Sequence, residues 1–275
     1  MKVKLSKFYH LLYKRHFYGW TSPLRVLPDF IVIGSVRGGT TSLFENLSKH
    51  PCIYPSSYDE LGFFDSNFEL GLNWYRSLFP TIFQKKISEF RKKCFMTYDV
   101  TPFYIWNPLA AQRIHDMFPK IKLIAILRNP IDRAYSNYFL GVRLGVENLS
   151  FEEAIGKEIE LLEKESLSDQ TIYKRPRSYV AKGFYAQQLE PWFKLFRKEQ
   201  LLILQTEKFA TDPTSTLNEI FDFLQLPIHQ IHEFKKMNVA KYPSMKEETR
   251  VFLKEYYRRY NDDLYALLGK SFDWN

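Results

Sequence analysis

Apolar runs alternate with helix-patterned stretches along most of the chain. Residues 30–33 read as a buried strand, followed by a glycine-rich turn and a helix over about 40–49, with Pro51 just beyond. Residues 95–100 and the strongly apolar 123–127 read as further strands. Asn107-Pro108 and Asn129-Pro130 each have the form of an N-cap followed by proline at the first helical position, predicting one helix to about residue 118 and another after residue 129. Ser150 with Glu153 forms a capping box for an acidic amphipathic helix. Residues 166–178 read as a loop and 179–197 as a helix. A strand at 201–205 follows, then a helix opened by Asp212-Pro213, and a last helix from about Lys246. This alternation predicts an α/β fold of three layers, a parallel sheet with helices on both faces.

Composition narrows the class without naming a function. The chain has 275 residues, 45% hydrophobic and 25% charged, long enough to bury a substantial core and unlike a disordered chain. Cys52 and Cys94 are the only cysteines, which excludes a disulfide framework and a cysteine-rich zinc site. The six histidines show no ligand spacing, and no metal site is expected. The net charge of +8 suggests acidic partners, and it is patchy. Residues 1–30 carry six basic side chains against Asp29, and residues 234–260 carry eight against three acidic ones. Each patch by itself reads as a solvated face.

The N-terminal 20 residues have no apolar run of membrane-spanning length, since charges and histidines interrupt them. They read as packing on their own domain, with peripheral contact to an anionic membrane as the alternative. A reducing cytoplasm is the simplest compartment.

The sharpest motif is Gly34-Ser35-Val36-Arg37-Gly38-Gly39-Thr40-Thr41, after a strand and opening a helix. Loop N–H groups and the positive end of the helix make such a turn a cradle for an anion. Two positions argue against Mg-ATP. Thr40 stands where a nucleotide triphosphatase loop has lysine, the cation being Arg37 instead. The strand at 123–127 ends in Arg128, where a magnesium-holding aspartate is usual. An arginine there attracts an anion and repels a metal.

These segments resemble the sulfotransferase family, which uses 3'-phosphoadenosine 5'-phosphosulfate (PAPS) as donor. Residues 29–43 are similar to its 5'-phosphosulfate motif. Leu127-Arg128-Asn129-Pro130 with Arg133, Ser136 and Tyr138 is similar to its 3'-phosphate motif. Glu60-Leu61-Gly62-Phe63-Phe64-Asp65, Gly71-Leu72-Asn73-Trp74-Tyr75, Phe79-Pro80 and Ser271-Phe272-Asp273-Trp274 resemble the heparan sulfate glucosaminyl N- and 3-O-sulfotransferase branch. The resemblance implies a P-loop nucleotide-hydrolase-like fold, with one sulfotransferase domain over residues 29–275 behind a basic aromatic segment, 1–28. It implies that Arg37, Gly38, Gly39, Thr40, Thr41, Ser42 and Lys241 hold the 5'-phosphosulfate. Arg128 and Ser136 would hold the 3'-phosphate, and Glu60 would act as general base. The segment Lys182-Gly183-Phe184-Tyr185 resembles the adenosine side of the pocket, where Tyr185 either contacts the nucleotide or packs in the core. Asp65, Trp74 and Asp99 are candidates for the acceptor cleft, Trp74 being equally a core residue.

The chain departs from the branch at Gly62, where histidine is frequent, and at Val100, where lysine is frequent; both changes remove polar acceptor-side groups. The C-terminal disulfide of the animal heparan enzymes has no counterpart. The expected reaction moves a sulfuryl group from PAPS to a hydroxyl or amine of a glycan, lipid or small-molecule acceptor, leaving adenosine 3',5'-bisphosphate, with no metal required. A phosphate-gripping nucleotide- or nucleic-acid-binding module and a small-molecule kinase of related fold are the competing readings. Nucleic acid is not an expected partner, because the arginines sit at strand ends rather than along an aromatic stripe.

Overall fold

The strands are buried on both faces, and their alternate residues feed two different cores. In β1 (Phe30–Gly34), Phe30 and Val32 face one side, and Ile31 and Ile33 the other. In β4 (Lys122–Leu127), Ile124 and Ile126 join the first side, while Leu123, Ala125 and Leu127 join the second. Such runs must be covered by helices above and below. The computed structural model, which describes residues 19–164, 173, 178–231, 233–235 and 242–274, has that arrangement. With β2 (Ile53–Pro55), β3 (Met96–Val100) and β5 (Leu201–Gln205), the strands form one parallel sheet in the order β2-β3-β1-β4-β5.

The helices are α1 (Thr40–Leu47), α2 (Gly71–Arg76), α3 (Ile82–Lys92), α4 (Ala110–Met117), α5 (Pro130–Arg143), α6 (Phe151–Lys164), α7 (Tyr185–Leu195), α8 (Thr206–Thr211), α9 (Pro213–Leu224) and α10 (Glu247–Leu268). Residues of α1, α8 and α9 cover one face of the sheet through Leu43, Phe209 and Phe221. Residues of α2, α4 and α7 cover the other through Tyr75, Ile114 and Trp192. A third cluster joins α5, α6 and α10 through Ala134, Ile155 and Tyr257.

The order of strands matters for function. From β1 the chain goes to the edge strand β2 and returns inward to β3, then crosses past β1 to β4 and β5 on the other side. The reversal lies between β1 and β4, and a parallel sheet opens a crevice at the C-terminal ends of its strands at that point. The glycine-rich turn leaves β1 there and Arg128 leaves β4 beside it.

The capping signals hold at three of four places. The Asn129 side chain accepts from Ile131 N at 3.0 Å, Asp212 accepts from Ser215 N at 3.0 Å, and Ser150 and Glu153 bond reciprocally. The Asn107 side chain instead caps a turn, accepting from Leu109 N, and α4 begins at Ala110. The expected helix from residue 179 begins later, at Tyr185, after a short turn at Ala181–Gly183. The buried Glu158 carboxylate explains the delay: it accepts from the N–H groups of Tyr179, Val180 and Ala181. Sequence patterning predicts no strand or helix between residues 51 and 95, which contain β2, α2 and α3. Most of the expected loop 166–178 lies outside the described residues, as does the N-terminal segment up to residue 18.

The cysteines correct one expectation. Cys52 and Cys94 form a disulfide, with Cα atoms 5.3 Å apart. The pairing Ile53↔Met96 between β2 and β3 brings the two residues side by side. A separation of 42 residues gives no hint of this until the two strands are known to be neighbours.

Candidate active site

A cavity of about 440 Å3 opens where β1 and β4 end. Its floor is the turn after β1. Gly38 sits too close to its surroundings for any side chain: a Cβ there would lie 2.5 Å from the Ile126 carbonyl oxygen. Gly39 has φ +93°, which L-residues rarely adopt, and it starts α1 with its N–H end facing the cavity. The turn is pinned from both sides. The Ser35 hydroxyl donates to Ile126 O at 3.0 Å, and the Thr206 hydroxyl donates to Gly38 O at 2.6 Å.

Arg37, Thr40, Thr41, Ser42, Arg128 and Ser136 all line this cavity, so two segments a hundred residues apart make one site. The Arg37 Nε donates to Ser136 Oγ at 3.0 Å. Burial depresses the Arg37 pKa, and the nearby Arg128 and Arg143 push it further down. A cluster of like charges at loop and helix ends, in a cavity of nucleotide size, fits an anionic ligand that neutralises it.

Glu60 lines the same cavity, and its charge acts on Arg37 to raise the arginine's pKa, against burial and the other arginines. Both Arg37 (φ +65°) and Glu60 (φ +55°) hold left-handed backbone conformations, unfavourable for side chains with a Cβ. Such positions persist only where the surroundings over-determine them, and they concentrate at functional sites.

The surroundings of Glu60 can be traced to Asp99. Glu60 N donates to Val100 O at 2.7 Å, tying the segment to the end of β3. The next backbone amides donate to hydroxyls: Gly62 N to Thr101 Oγ1 at 3.2 Å and Phe63 N to Tyr104 OH at 2.8 Å. Those hydroxyls donate in turn to the Asp99 carboxylate at 2.9 and 2.8 Å, and Tyr75 OH adds a third at 3.0 Å. Asp99 is fully buried, and desolvation pushes its pKa up to about 6 despite the three donors. Asp99 therefore lies beneath the Glu60 segment rather than lining the cavity.

Other expected contacts are displaced in the same manner. Trp74 is a core residue packed with Phe63. Asp65 bonds the N–H of Ser66, and burial raises its pKa. Tyr185 is fully buried behind the cavity, where its hydroxyl donates to the Arg128 carbonyl at 2.8 Å. Its reach to any ligand is through Arg128. Lys182 lies under the rings of Phe103 and Trp106, its pKa pushed down to about 8 by burial first and then by Arg133. Gly62 has φ +63°, and Val100 is buried, so neither departure from the heparan branch offers a side chain to the cavity. Lys241 lies outside the described residues.

The sequence reading missed one wall altogether. Phe209, Ala210 and Pro213, together with Phe234, line the cavity beside α1. Asn46 holds Phe234 there by bonding both backbone groups of Lys235: its amide donates to Lys235 O at 3.0 Å and its oxygen accepts from Lys235 N at 3.1 Å. Only the pairing of β5 with β4 brings α8 and α9 to this place.

A family model of the sulfotransferase domain matches residues 27–266. The chain belongs to that family. A solved sulfotransferase from Alicyclobacillus acidocaldarius superposes with a TM-score of 0.69 at 26% identity, covering 90% of this chain and 99% of that one. A membrane-associated sulfotransferase of Dictyostelium discoideum is 29% identical over 91% of this chain and 67% of its own length. Human heparan sulfate glucosamine 3-O-sulfotransferase 6 is 30% identical over 91% of this chain and 74% of itself. A mouse bifunctional heparan sulfate N-deacetylase/N-sulfotransferase is 29% identical over 89% of this chain, which spans only 30% of that relative. As a sulfotransferase domain, the chain is of the class that carries out sulfuryl transfer, and its relatives include both N- and O-sulfating enzymes.

Proposed function

We propose that this sulfotransferase moves the sulfuryl group of PAPS to a hydroxyl or amine of a glycan, with Glu60 as the base. The observation that carries the reading is the meeting of Arg37, Arg128, Ser136 and Glu60 around one cavity. Arg128 and the Arg37-bonded Ser136 would hold the 3'-phosphate. The N–H end of α1 and Arg37 suit the phosphosulfate, and the apolar wall of Phe209 and Phe234 suits a purine ring.

In the step itself, an acceptor oxygen or nitrogen attacks sulfur and its proton passes to the Glu60 carboxylate. The bond between sulfur and the 5'-phosphate oxygen breaks, and its electron pair stays on that oxygen as adenosine 3',5'-bisphosphate leaves. Arg37 keeps its proton throughout and acts as an electrostatic clamp on the growing negative charge. The glycan assignment rests on the heparan sulfate relatives.

Titration with adenosine 3',5'-bisphosphate tests the donor assignment. The expected result is magnesium-independent binding, weakened roughly 10–100-fold in Arg128→Ala, the loss of a charge-assisted contact. Tighter binding of Mg-ATP or of single-stranded nucleic acid, or no effect of Arg128→Ala, sinks the reading. Transfer of labelled sulfate from PAPS to N-acetylated and N-unsubstituted heparan chains then tests the acceptor.

A further inference from the structure

Helix α3 is folded with its polarity reversed. Its inward face is polar: Ser88 is buried and its hydroxyl donates to Cys94 O at 2.8 Å, Lys85 lies over the Phe95 ring, and Lys92 Nζ donates to Pro51 O at 2.8 Å. Its outward face carries Phe83, Ile87 and Phe90, one per turn, with Phe83 70% and Phe90 83% exposed. A helix of a globular domain ordinarily turns such a stripe toward the core. The helix is not held by accident, since Thr81 and Gln84 close a reciprocal capping box at its start.

The charge around the stripe is of one sign. Residues 82–93 contain Lys85, Lys86, Arg91, Lys92 and Lys93 against Glu89 alone. At 100° per residue, Lys86 and Arg91 fall on opposite sides of the Phe83–Ile87–Phe90 line. A second exposed apolar element is anchored just ahead of the helix. The turn Gly19–Leu24 exposes Trp20 (91%), and the residues after it are pinned to the start of α3: Arg25 pairs with Thr81, and Val26 N donates to Pro80 O at 3.0 Å.

We propose that α3 is a docking face for an anionic membrane surface, lying in the interface with Phe83, Ile87 and Phe90 inserted and Lys86 and Arg91 against the headgroups. An apolar stripe flanked by cations, Lys86 on one side and Arg91 on the other, is the pattern of interfacial helices. The charge selects this occupant: a second copy of the chain would set the same cations against each other, whereas anionic lipid neutralises them. Among the described residues no helix is long and apolar enough to cross a membrane, so the contact is one of lying on the surface. Location is compatible with catalysis. The last turn of α3 sits at the N-terminal ends of β2 and β3, while the cavity opens at the C-terminal ends of β1 and β4, so a docked molecule keeps its cavity open to solvent.

The test is flotation of the full chain with phosphatidylcholine vesicles with and without phosphatidylserine. Binding is expected only with phosphatidylserine, and it weakens as salt is raised. Two surface variants, Phe83→Ser/Phe90→Ser and Lys86→Glu/Arg91→Glu, are each expected to lower partitioning by roughly tenfold or more while leaving the melting temperature unchanged. The proposal is overturned if phosphatidylserine makes no difference or if both variants float like the parent. It is equally overturned if sedimentation shows a dimer that the Phe83→Ser/Phe90→Ser change dissociates without any effect on vesicles.

Discussion

The two rims of the cavity are built on opposite plans. On the proposed donor rim, the residues that would bind are themselves at the surface of the cavity: Arg37 and the turn amides after β1, Arg128 after β4, and Ser136 on α5. On the acceptor rim, one carboxylate reaches the cavity and the other polar groups turn inward. Asp99, Thr101, Tyr104 and Tyr75 form a buried network whose products are the conformation of residues 60–64 and the strained backbone of Glu60. A binding site can be made by exposing cations, because an incoming anion satisfies them. A general base must be held in place before its partner arrives, and a fully satisfied buried network does that.

The largest expected effect that separates the rims is Glu60→Gln. Turnover should fall by roughly 10²–10⁴, with adenosine 3',5'-bisphosphate binding retained; a parallel loss of nucleotide binding would break the division. Next comes the disulfide, which ties β2 to β3 at their N-terminal ends, away from the cavity. In the loop-entropy estimate, a bridge of this span stabilises by about 3–4 kcal/mol. Cys94→Ser should lower the unfolding midpoint accordingly and leave the KM of donor and acceptor alike unchanged, since the bridge lies at the far end of both strands from the cavity; a selective change in either KM would break that expectation.

A smaller change probes the network itself. Tyr104→Phe removes a hydroxyl that both accepts from Phe63 N and donates to Asp99, leaving buried partners unsatisfied at a cost of about 1–3 kcal/mol. Its kcat should fall while the nucleotide Kd holds. Asp99 also gives a pH signature. Its folded pKa, about 6, lies above the ordinary carboxylate value of 3.8, so the folded state holds a proton that the unfolded chain releases. Stability from this group is therefore present below pH 4 and is lost as pH rises through 6. Asp99→Asn should remove that part of the stability profile, measured by urea denaturation across pH 4–7; an unchanged profile refutes the assignment. The smallest effect is expected for Tyr185→Phe, which deletes one hydrogen bond to the Arg128 carbonyl, worth about 1 kcal/mol. Nucleotide binding should weaken only a few-fold, and turnover at saturating donor should not change.

The donor rim was legible in the sequence because local rules fix it. Gly38 and Gly39 are demanded by a tight turn, and Asn129-Pro130 marks where the helix behind Arg128 starts. The unbroken apolar runs at 30–33 and 123–127 put both strands in the middle of a sheet. The acceptor rim was legible only in part. Asp99 read as a cleft residue, and Trp74 as equally cleft or core, because a polar or aromatic side chain near a motif gives no sign of which way it points. Phe234 and the Phe209–Pro213 wall gave no sign either, since they reach the cavity only through the β4–β5 pairing and the Asn46 clasp.

The sequence by itself determined the parallel sheet, most of the element order and the turns after β1 and β4, all consequences of periodicity, capping and glycine sterics within about fifteen residues. Tertiary structure decided which distant groups meet. It joined Arg37 to Ser136 and Cys52 to Cys94, and it buried Asp99 beneath Glu60. It also left the apolar face of α3 pointing at solvent. Those outcomes depend on strand order and packing direction, which are set by how whole layers bury their surface and not by any local run of residues.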